Sequence, residues 1–345
     1  MSARALDALP GGLLATLHGK TILATGCSGF FGIWTLAAIR ELRVRGCTVS
    51  IKVCARDPKR IMDLHPSLAR TQGVSWVQGA PSAQVLEKAG HFDYVLHMAA
   101  RSDARTNAED PLGMMLSMVD GAINVARRAR TLGAPMLMVS SGAVYGTRTA
   151  DAGPAREGVE RTSAPDCLSP RHAYGEAKRL GEMAVACCEG LAWTVVRPFA
   201  FLGPHLPLDA HFAAGNFLRD ASQARSIEIK GDGSPIRSFM HPADLAAWKL
   251  WLMALGQRGQ AFNVGSDEPV SLGELACEIA QAAGAPAPRI LGAPAQSVEC
   301  YEPNIERARA LGLSLSISRA EAISSSLAWL DANAGSWVEI QKPAA

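Results

Sequence analysis

Two residues with complementary acid–base chemistry, Tyr174 and Lys178, stand four positions apart in the segment SPRHAYGEAKRLGE. Four residues of a helix advance about 6 Å and place both side chains on one face. An ammonium group beside a phenol stabilises the tyrosinate, so Lys178 is expected to lower the pKa of Tyr174 towards the working pH. The spacing therefore predicts a tyrosine that takes a proton from a hydroxyl during hydride transfer, or returns one during reduction.

A serine at the end of a β-rich run is a third candidate catalytic group. The run 135–141 continues into SSGAVYG, which predicts that Ser141 lies at the carboxyl edge of a parallel sheet. Open α/β sheets bind their ligands at that edge. Ser141 is therefore expected to hydrogen-bond the reacting oxygen and hold it near Tyr174. The structural alternatives are a turn residue for Ser141 and a solvated helix face for Tyr174 and Lys178.

The segment TGCSGFFG, residues 25–32, has the glycine spacing of a dinucleotide-binding turn between a strand and a helix. Gly26 permits a sharp turn, Gly29 lets backbone N–H groups approach a pyrophosphate, and Gly32 lets the helix pack closely. The positive end of the helix dipole adds to this attraction. A tight turn without a ligand is the alternative. The residues predicted to bind the cofactor are Gly26, Ser28, Gly29, Phe30, Phe31 and Gly32 of the turn, Ala99 and Ala100 at the end of a later strand, and Tyr174 and Lys178.

The choice of nicotinamide cofactor depends on the end of the second strand, where KVCARDP contains Arg56. A guanidinium at this point can pair with the 2′-phosphate of NADP and stack on adenine, whereas a lone acidic residue would favour NAD. Asp57 follows directly and could accept a ribose hydroxyl or start a turn before the next proline. The sequence favours NADP and leaves NAD open.

Short β-rich runs alternate with helical stretches in the first half of the chain, which predicts parallel strands joined by right-handed crossovers. We expect an α/β fold, a Rossmann-type doubly wound parallel sheet with a smaller α/β substrate-binding lobe. Residues 19–197 are assigned to the dinucleotide-binding domain, 198–315 mainly to the lobe, and 316–345 to a C-terminal helix and tail. A run near 261–264 is a candidate for a return to the main sheet. The predicted strands are 21–25, 49–55, 74–77, 93–98, 135–141 and 193–197, and the predicted helices are 32–44, 83–89, 112–132, 172–189 and 319–330.

The composition excludes several classes of protein. The 345 residues include 34 basic and 32 acidic side chains, a balance that argues against nucleic acid or an anionic membrane as the main partner. Residues 1–18 contain no continuous apolar core of a signal peptide, and no run approaches the roughly 18 apolar residues of a membrane span. The eight cysteines have no metal-ligand spacing. We expect a cytoplasmic protein with reduced thiols and no bound metal.

With these motifs the chain resembles the extended short-chain dehydrogenase/reductase family, and within it the NAD-dependent epimerase/dehydratase group that acts on nucleotide sugars. The resemblance covers roughly residues 19–315, and the motifs follow the order of the family. TGCSGFFG is similar to its TGxxGFxG loop, HMAA to its HxAA segment, SSGAVYG to its SSxxVYG strand end, and YGEAK to its YxxxK. RPFAFLGP and GDGSPIRSFMHPADLA resemble segments of its substrate lobe.

The resemblance implies roles for further residues. Arg237 should contact the diphosphate of the substrate, as an arginine of the family does in the same RxF context, while Asp244 should be structural. Pro198 is implied in cofactor binding, and Asn216 in substrate binding together with Ser141 and Arg237. A nucleotide-sugar substrate and a homodimer follow from the same resemblance.

Two positions depart from the pattern of the related dehydratases. In those enzymes the catalytic Thr or Ser is followed by Asp-Glu, an acid and a base for eliminating water, whereas Ser141 is followed by Gly142 and Ala143. The sugar decarboxylases usually keep a carboxylate at the second position, which Ala143 also lacks. Neither residue here can carry a proton.

These observations favour a nucleotide-sugar 4-ketoreductase or 4-epimerase, with hydride transfer at sugar C4 and Tyr174 as the acid/base. A 4,6-dehydratase or a decarboxylase is the alternative within the family, with Asp103 or Glu157 as a replacement for the missing dehydratase group. An alternative of another class is a non-catalytic NADP-binding sensor or scaffold. The presence of Ser141, Tyr174 and Lys178 together argues against it, because a binding module has no use for a tyrosine–lysine pair.

Overall fold

Seven parallel strands form the central sheet within residues 1–100, 109–158, 169–208 and 212–334, which are the residues that this computed structural model describes. In chain order the strands of these residues are β1 (Thr21–Thr25), β2 (Ser50–Ala55), β3 (Val74–Gln78), β4 (Tyr94–His97), β5 (Met136–Val139), β6 (Trp193–Pro198), β7 (Ala200–Phe201), β8 (Glu228–Ile229), β9 (Ile236–Met240), β10 (Gln260–Val264), β11 (Pro269–Ser271), β12 (Arg289–Ile290) and β13 (Cys300–Tyr301). The order across the central sheet is β3–β2–β1–β4–β5–β6–β10. The predicted α/β fold with a doubly wound parallel sheet is confirmed.

The strand order reverses between β1 and β4, which lie side by side in the sheet. The chain runs outwards from β1 through β2 to β3 and then returns to β4 on the other side of β1. A crevice forms outside the carboxyl ends of the strands at such a reversal, and ligands of open α/β sheets bind there. The candidate site residues therefore have to be found at this edge.

The central strands are buried on both faces, as a sheet covered by helices on two sides requires. Along β1, Ile22 and Ala24 belong to the core on one face, and Leu23 belongs to the core on the other. The same alternation places Leu96 of β4 in the first core and Val95 in the second. This period of two follows from the pleat of a strand.

Helices cover both faces of the sheet. α3 and α10 pack together over the first core, and α6, α7 and α8 cover the second. None of the helices in the described residues is long and apolar enough to cross a bilayer. The helices are α1 (Ser2–Asp7), α2 (Leu13–Leu17), α3 (Phe30–Val44), α4 (Pro58–Leu64), α5 (Pro66–Ala69), α6 (Ala83–Lys88), α7 (Pro111–Leu132), α8 (Ala173–Ala186), α9 (Ala213–Ser222), α10 (Pro242–Leu255), α11 (Leu272–Ala283), α12 (Glu306–Arg309) and α13 (Arg319–Ala332).

The amino-terminal segment, for which the sequence predicted no structure, covers the outer side of α10. Almost every residue of α10 is buried, so this helix needs a cover on the side away from the sheet. Helices α1 and α2 supply it, with Leu6, Leu13 and Leu17 buried against it. The Trp251 indole N–H also donates to the carbonyl of Pro10 at 3.1 Å.

A smaller lobe follows β6. Its core is separate from the two cores of the central sheet and includes apolar residues of α9, α11 and α13. A sheet in which β7, β11 and β13 all pair with β9 lies beside it. The chain then returns to the central sheet, because β10 pairs in parallel with β6. The division of the chain at residue 197 stays a prediction, and residues 335–345 of the predicted tail lie outside the described residues.

One lysine is fully buried in α10, beneath the start of α3. The Lys249 ammonium donates to Thr35 Oγ1 at 3.1 Å and to the carbonyl of Phe31 at 3.3 Å. It also lies 5.3 Å from the centre of the Phe31 ring. Burial among uncharged partners lowers the pKa of Lys249 to about 7, because the charged form is poorly solvated there.

We predict that Lys249→Met flattens the pH dependence of stability between about pH 7.5 and 8.5. In this range the unfolded chain keeps its Lys249 proton, whereas the folded protein has lost most of it. The free energy of unfolding therefore rises with pH, by about 1 kcal/mol per pH unit for this group. Denaturant unfolding of the wild type and the variant at several pH values measures the two slopes. The partly exposed Lys52→Met serves as the control and should keep the wild-type slope; equal slopes for Lys249→Met would contradict the prediction.

Candidate active site

The turn between β1 and α3 has the backbone geometry of a pyrophosphate cradle. Gly26 has a φ of +76°, and a Cβ added there would lie 2.6 Å from the Ala99 nitrogen, so only glycine is accommodated. At Gly32 a Cβ would lie 2.1 Å from Cys27 Cα, which shows how closely α3 packs on the turn. Around exposed Gly29 the nearest atom to such a Cβ is 4.0 Å away. The start of α3 therefore faces open space, and its free N–H groups fit an anionic cofactor.

The aromatic residues of the turn face the protein rather than this space. Phe30 packs against the cores of the central sheet and the lobe, and Phe31 makes an edge contact with Phe201 at 5.0 Å between ring centres. Ser28 is exposed beside Gly29. Of these side chains, Ser28 is the one that the fold leaves accessible to a ligand.

A hydrogen-bonded pair holds the ends of β1 and β4 together at the reversal point. The hydroxyl oxygen of Thr25 accepts the Ala99 N–H at 3.1 Å and lies 2.8 Å from His97 Nδ1. Burial lowers the pKa of His97 to about 3, so the ring is neutral, and its tautomer sets the direction of the bond to Thr25. These bonds hold half-buried Ala99 and exposed Ala100 beside the glycine turn.

Arg56 and Asp57, the two residues that follow β2, have different surroundings. Arg56 is exposed, and among the described residues it has no hydrogen bond or ion pair. The Asp57 carboxylate accepts the Arg60 N–H at 3.2 Å and caps the amino terminus of α4. Of the two roles open for Asp57 in the sequence, the structure shows the turn-forming one, because a helix that starts at Pro58 needs an acceptor for its free N–H groups.

The candidate serine lies at the carboxyl end of β5, as predicted. Ser141 follows the strand in an extended conformation and begins a short 3₁₀ turn, Gly142–Tyr145. Its side-chain oxygen accepts the Ala143 N–H at 3.1 Å. Since this bond uses the oxygen as an acceptor, the hydroxyl proton of Ser141 remains available to a neighbouring phenol or a substrate oxygen.

Tyr174 and Lys178 lie in the first two turns of α8, on the side that faces this serine. The Lys178 ammonium donates to the carbonyl of Val139, the last residue of β5, at 2.8 Å and lies 5.9 Å from the centre of the Tyr174 ring. At Gly175 a Cβ would lie 2.8 Å from the Ala143 carbonyl oxygen. The absence of a side chain at Gly175 therefore lets the helix come close to the serine turn.

The pKa of Tyr174 differs from the expectation that Lys178 lowers it. Burial is the largest influence and raises the pKa, while the Ser141 side chain, as a hydrogen-bonding neighbour, acts in the opposite direction. Burial also lowers the pKa of Lys178 to about 8. The expectation was wrong, because removing a phenol from water disfavours its charged form more than the nearby groups favour it.

The residues implied in substrate binding lie in the lobe and at its border. Arg237 of β9 donates to a Glu299 carboxylate oxygen at 2.6 Å and lies 5.8 Å over the ring of Tyr301. Asn216 lies in the first half of α9, where its side-chain oxygen accepts a bond from Arg219 at 3.4 Å. Pro198 ends β6 and is buried. Arg237 is therefore already paired with a carboxylate, which a substrate diphosphate would have to replace.

The structural role implied for Asp244 agrees with its surroundings. The carboxylate lies in the first turn of α10 and is almost fully buried. It accepts the backbone N–H groups of Ser316 and Ile317, each at 3.2 Å. These bonds join the segment before α13 to the helix that covers the central sheet.

Residues 22–265 match the model of the NAD dependent epimerase/dehydratase family. The match includes the glycine turn, Ser141, Tyr174 and Lys178. The chain belongs to the NAD dependent epimerase/dehydratase family. The predicted family and the predicted nicotinamide-dependent enzyme are thereby confirmed.

Individual relatives of this epimerase/dehydratase family member differ in activity. A UDP-glucuronic acid decarboxylase of Xenopus tropicalis is 26% identical over 52% of this chain and 41% of its own length. A UDP-N-acetyl-alpha-D-glucosaminuronate decarboxylase of Bacillus cytotoxicus is 27% identical over 76% of this chain and 80% of its own. The fold is similar to that of a UDP-glucose 4-epimerase of Thermotoga maritima, with a TM-score of 0.77 and 20% identity over 91% of this chain and 99% of the epimerase.

Within this family member, a second tyrosine reaches the serine turn and was missed in the sequence. A Cβ on Gly142 would lie 2.7 Å from the Tyr301 hydroxyl and 2.9 Å from the ring of Phe199. The space beside Gly142 is thus filled by a phenol from β13. Tyr301 belongs to none of the sequence motifs. The one feature of the sequence that could have drawn attention to it is that the chain has four tyrosines.

Of the two carboxylates considered as replacements for the dehydratase pair, the structure describes Glu157. Glu157 accepts the backbone N–H of Asn263 at 2.6 Å and so stabilises β10. Asp103 lies outside the described residues. The turn after Ser141 itself presents a glycine and an alanine.

Proposed function

We propose that the protein is a nucleotide-sugar 4-ketoreductase or 4-epimerase that uses Tyr174 as acid and base. The observation that carries the proposal is the arrangement at the carboxyl edge of β5. Ser141, Tyr174 and Lys178 lie together there, while Gly142 and Ala143 bring no ionisable group. Such a site can exchange a proton at a hydroxyl, and the two residues after Ser141 bring no acid or base for the elimination of water.

In the proposed reaction Tyr174 takes the proton from the 4-hydroxyl of the sugar, or returns it to a 4-keto oxygen. The free hydroxyl proton of Ser141 holds that oxygen in place. Lys178 keeps α8 against β5 and favours the tyrosinate when it forms. A nicotinamide bound at Gly26, Gly29 and the start of α3 would supply the acceptor or donor of the hydride.

A nucleotide sugar is the proposed substrate, and the names of the relatives support this class. The diphosphate would need a cation, and Arg237 lies on β9 beside Tyr301, in the strand pair next to the serine turn. We propose that the diphosphate replaces Glu299 as the partner of Arg237. Asn216 and Ser141 are proposed to contact the same substrate, and Pro198 the cofactor.

A sugar-nucleotide decarboxylase is the second candidate, because the curated relatives include decarboxylases. Oxidation of a uronic acid at C4 forms a β-keto acid, which can lose carbon dioxide without a further base. Ser141, Tyr174 and Lys178 are sufficient for that oxidation. The two candidates differ in whether a product has lost one carbon dioxide.

We propose NADP as the preferred form of the cofactor. Arg56 is exposed and has no partner among the described residues, so it is available to a 2′-phosphate. The Asp57 carboxylate is engaged through Oδ1 as the cap of α4. This arrangement favours the phosphorylated cofactor.

A homodimer formed through α7 and α8 is also proposed. These helices pack side by side, and large apolar side chains on both are exposed: Leu112, Leu116, Leu180 and Met183. Leu112 and Leu116 are four residues apart on α7, and Leu180 and Met183 are three apart on α8, so the two side chains of each pair lie in one stripe on the same face of their helix. A second copy with the same stripes would bury them in a four-helix arrangement with two-fold symmetry.

Tyr174→Phe should reduce turnover by about a hundredfold or more while the cofactor still binds, because one proton-transfer group is lost. Turnover is measured with UDP-, dTDP-, GDP- and CDP-hexoses, their 4-keto forms and the corresponding hexuronic acids. The products are separated by chromatography and weighed by mass spectrometry. The matched control is Tyr94→Phe. Tyr94 lies at the amino end of β4, away from the site at the carboxyl ends of the strands, so this variant should keep its activity. A catalytic product lighter by one water would contradict the proposed function, and one lighter by carbon dioxide would establish the second candidate.

Arg237→Ala should weaken binding of the nucleotide diphosphate by about 1.5 to 3 kcal/mol, the contribution of one charge-assisted contact. Glu299→Gln removes the competing carboxylate and should tighten binding. Isothermal titration with UDP and dTDP measures both effects. Arg289→Ala, which removes an exposed ion pair with Glu228, is the control. Unchanged affinity in Arg237→Ala would place the diphosphate elsewhere.

Arg56→Ala should abolish a preference for NADP over NAD, because the 2′-phosphate loses its cation. Dissociation constants for both cofactors are compared with those of the wild type. Lys59→Ala removes an equal charge from an exposed position three residues away and should leave the ratio unchanged. A wild type without a preference, or a ratio that Arg56→Ala does not alter, would refute this role.

Leu116→Glu combined with Met183→Glu should convert the dimer to a monomer, because two charges per copy would enter the apolar contact. Light scattering after size-exclusion chromatography gives the mass. Val44→Glu, at an exposed apolar residue of α3, is the control and should remain dimeric. A monomeric wild type would show that the exposed stripes serve another purpose.

A further inference from the structure

Tyr301 joins the lobe to the serine turn. It lies in the two-residue strand β13, which pairs in parallel with β9 and places it opposite Arg237. Its ring lies 4.8 Å from that of Phe199, and the Arg237 guanidinium lies 5.8 Å above it. These contacts on the ring determine where the hydroxyl is held.

The hydroxyl of Tyr301 ends beside the candidate catalytic serine. It occupies the space that a side chain at Gly142 would need, 2.7 Å from the position of an added Cβ. Burial raises the pKa of Tyr301, while the Ser141 side chain and the Ala143 N–H oppose this as hydrogen-bonding neighbours. Tyr301 is therefore a neutral phenol at neutral pH.

Ser141 has two phenols as neighbours, because its side chain also interacts with Tyr174. A serine hydroxyl has only one proton to donate, so at any moment it can be given to one phenol oxygen or to a substrate. The Ala143 N–H already holds the serine oxygen from the turn. If Tyr301 donates its phenol proton to the remaining lone pair of that oxygen, the serine proton is directed to Tyr174 or to the substrate.

We propose that Tyr301 is a positioning residue for the reaction, which holds the Ser141 hydroxyl at the sugar oxygen beside Tyr174. Gly142 is part of this device, since any side chain there would displace the phenol. The proposal rests on the proposed oxidation or reduction at C4. It gives Tyr301 no proton-transfer step of its own.

The kinetic test uses Tyr301→Phe, which keeps the ring and its contacts with Phe199 and Arg237. We expect kcat to fall about three- to tenfold, the effect of losing one neutral hydrogen bond. KM and the dissociation constant of the cofactor should stay within about twofold. In a Ser141→Ala background the same change should have no further effect on kcat, because Tyr301 acts through Ser141. An equal fall in that background, or a rise in KM with constant kcat, would overturn the proposal.

A second test needs no substrate. With ring-carbon-labelled tyrosine, NMR titration follows the pKa of Tyr174 in the wild type, in Tyr301→Phe and in the control Tyr94→Phe. Loss of Tyr301 removes a hydrogen-bond donor to the Ser141 oxygen and so weakens the donation of the serine proton to Tyr174. The pKa of Tyr174 should therefore rise in Tyr301→Phe alone. An unchanged Tyr174 signal would overturn the inference. Absence of turnover with every nucleotide sugar would instead refute the proposed function, whatever the titration shows.

Discussion

The bond from the Lys178 ammonium to the Val139 carbonyl is the contact on which the candidate site depends. It fixes α8 against the carboxyl end of β5, and so sets the position of Tyr174 relative to Ser141. The burial that strengthens this bond also lowers the pKa of Lys178 to about 8, so the cation is held at a cost in solvation. Gly175 permits the approach, because a side chain there would meet the Ala143 carbonyl. One hydrogen bond and one missing side chain thus determine the distance between serine and tyrosine.

A half-buried ion pair supports the same helix from behind. Arg197 of β6 donates to both carboxylate oxygens of Glu182 in α8, at 3.0 and 2.6 Å. It also donates to the Tyr145 hydroxyl at 2.8 Å, and Tyr145 in turn donates to Asn263 of β10 at 2.8 Å. The serine turn, the catalytic helix and the returning strand are therefore connected. Removing one partner would leave a half-buried charge unpaired and so destabilise this connection.

Local patterns in the sequence were sufficient for the order of elements and for the residues that act through near neighbours. Apolar runs with glycine-rich turns predicted the strands of the central sheet, because burial on both faces leaves a continuous apolar signature. The spacing of Tyr174 and Lys178 placed both on one helix face, since helical geometry depends on sequence separation alone. Gly26 could be assigned for the same reason, as its positive φ is a property of the turn itself.

Contacts between distant segments were decided only by the tertiary structure. Tyr301 reaches Ser141 through the pairing of β13 with β9, and a two-residue strand has no period that a sequence could show. The same pairing region brings Glu299 to Arg237, so the cation expected to contact a substrate diphosphate is already paired with a carboxylate. The raised pKa of Tyr174 likewise depends on how deeply the packed elements bury it. The sequence by itself determined the fold, the family motifs and the Tyr174–Lys178 pair, because these follow from local spacing. The surroundings of those residues depend on strand pairing and burial, which only the folded chain brings about.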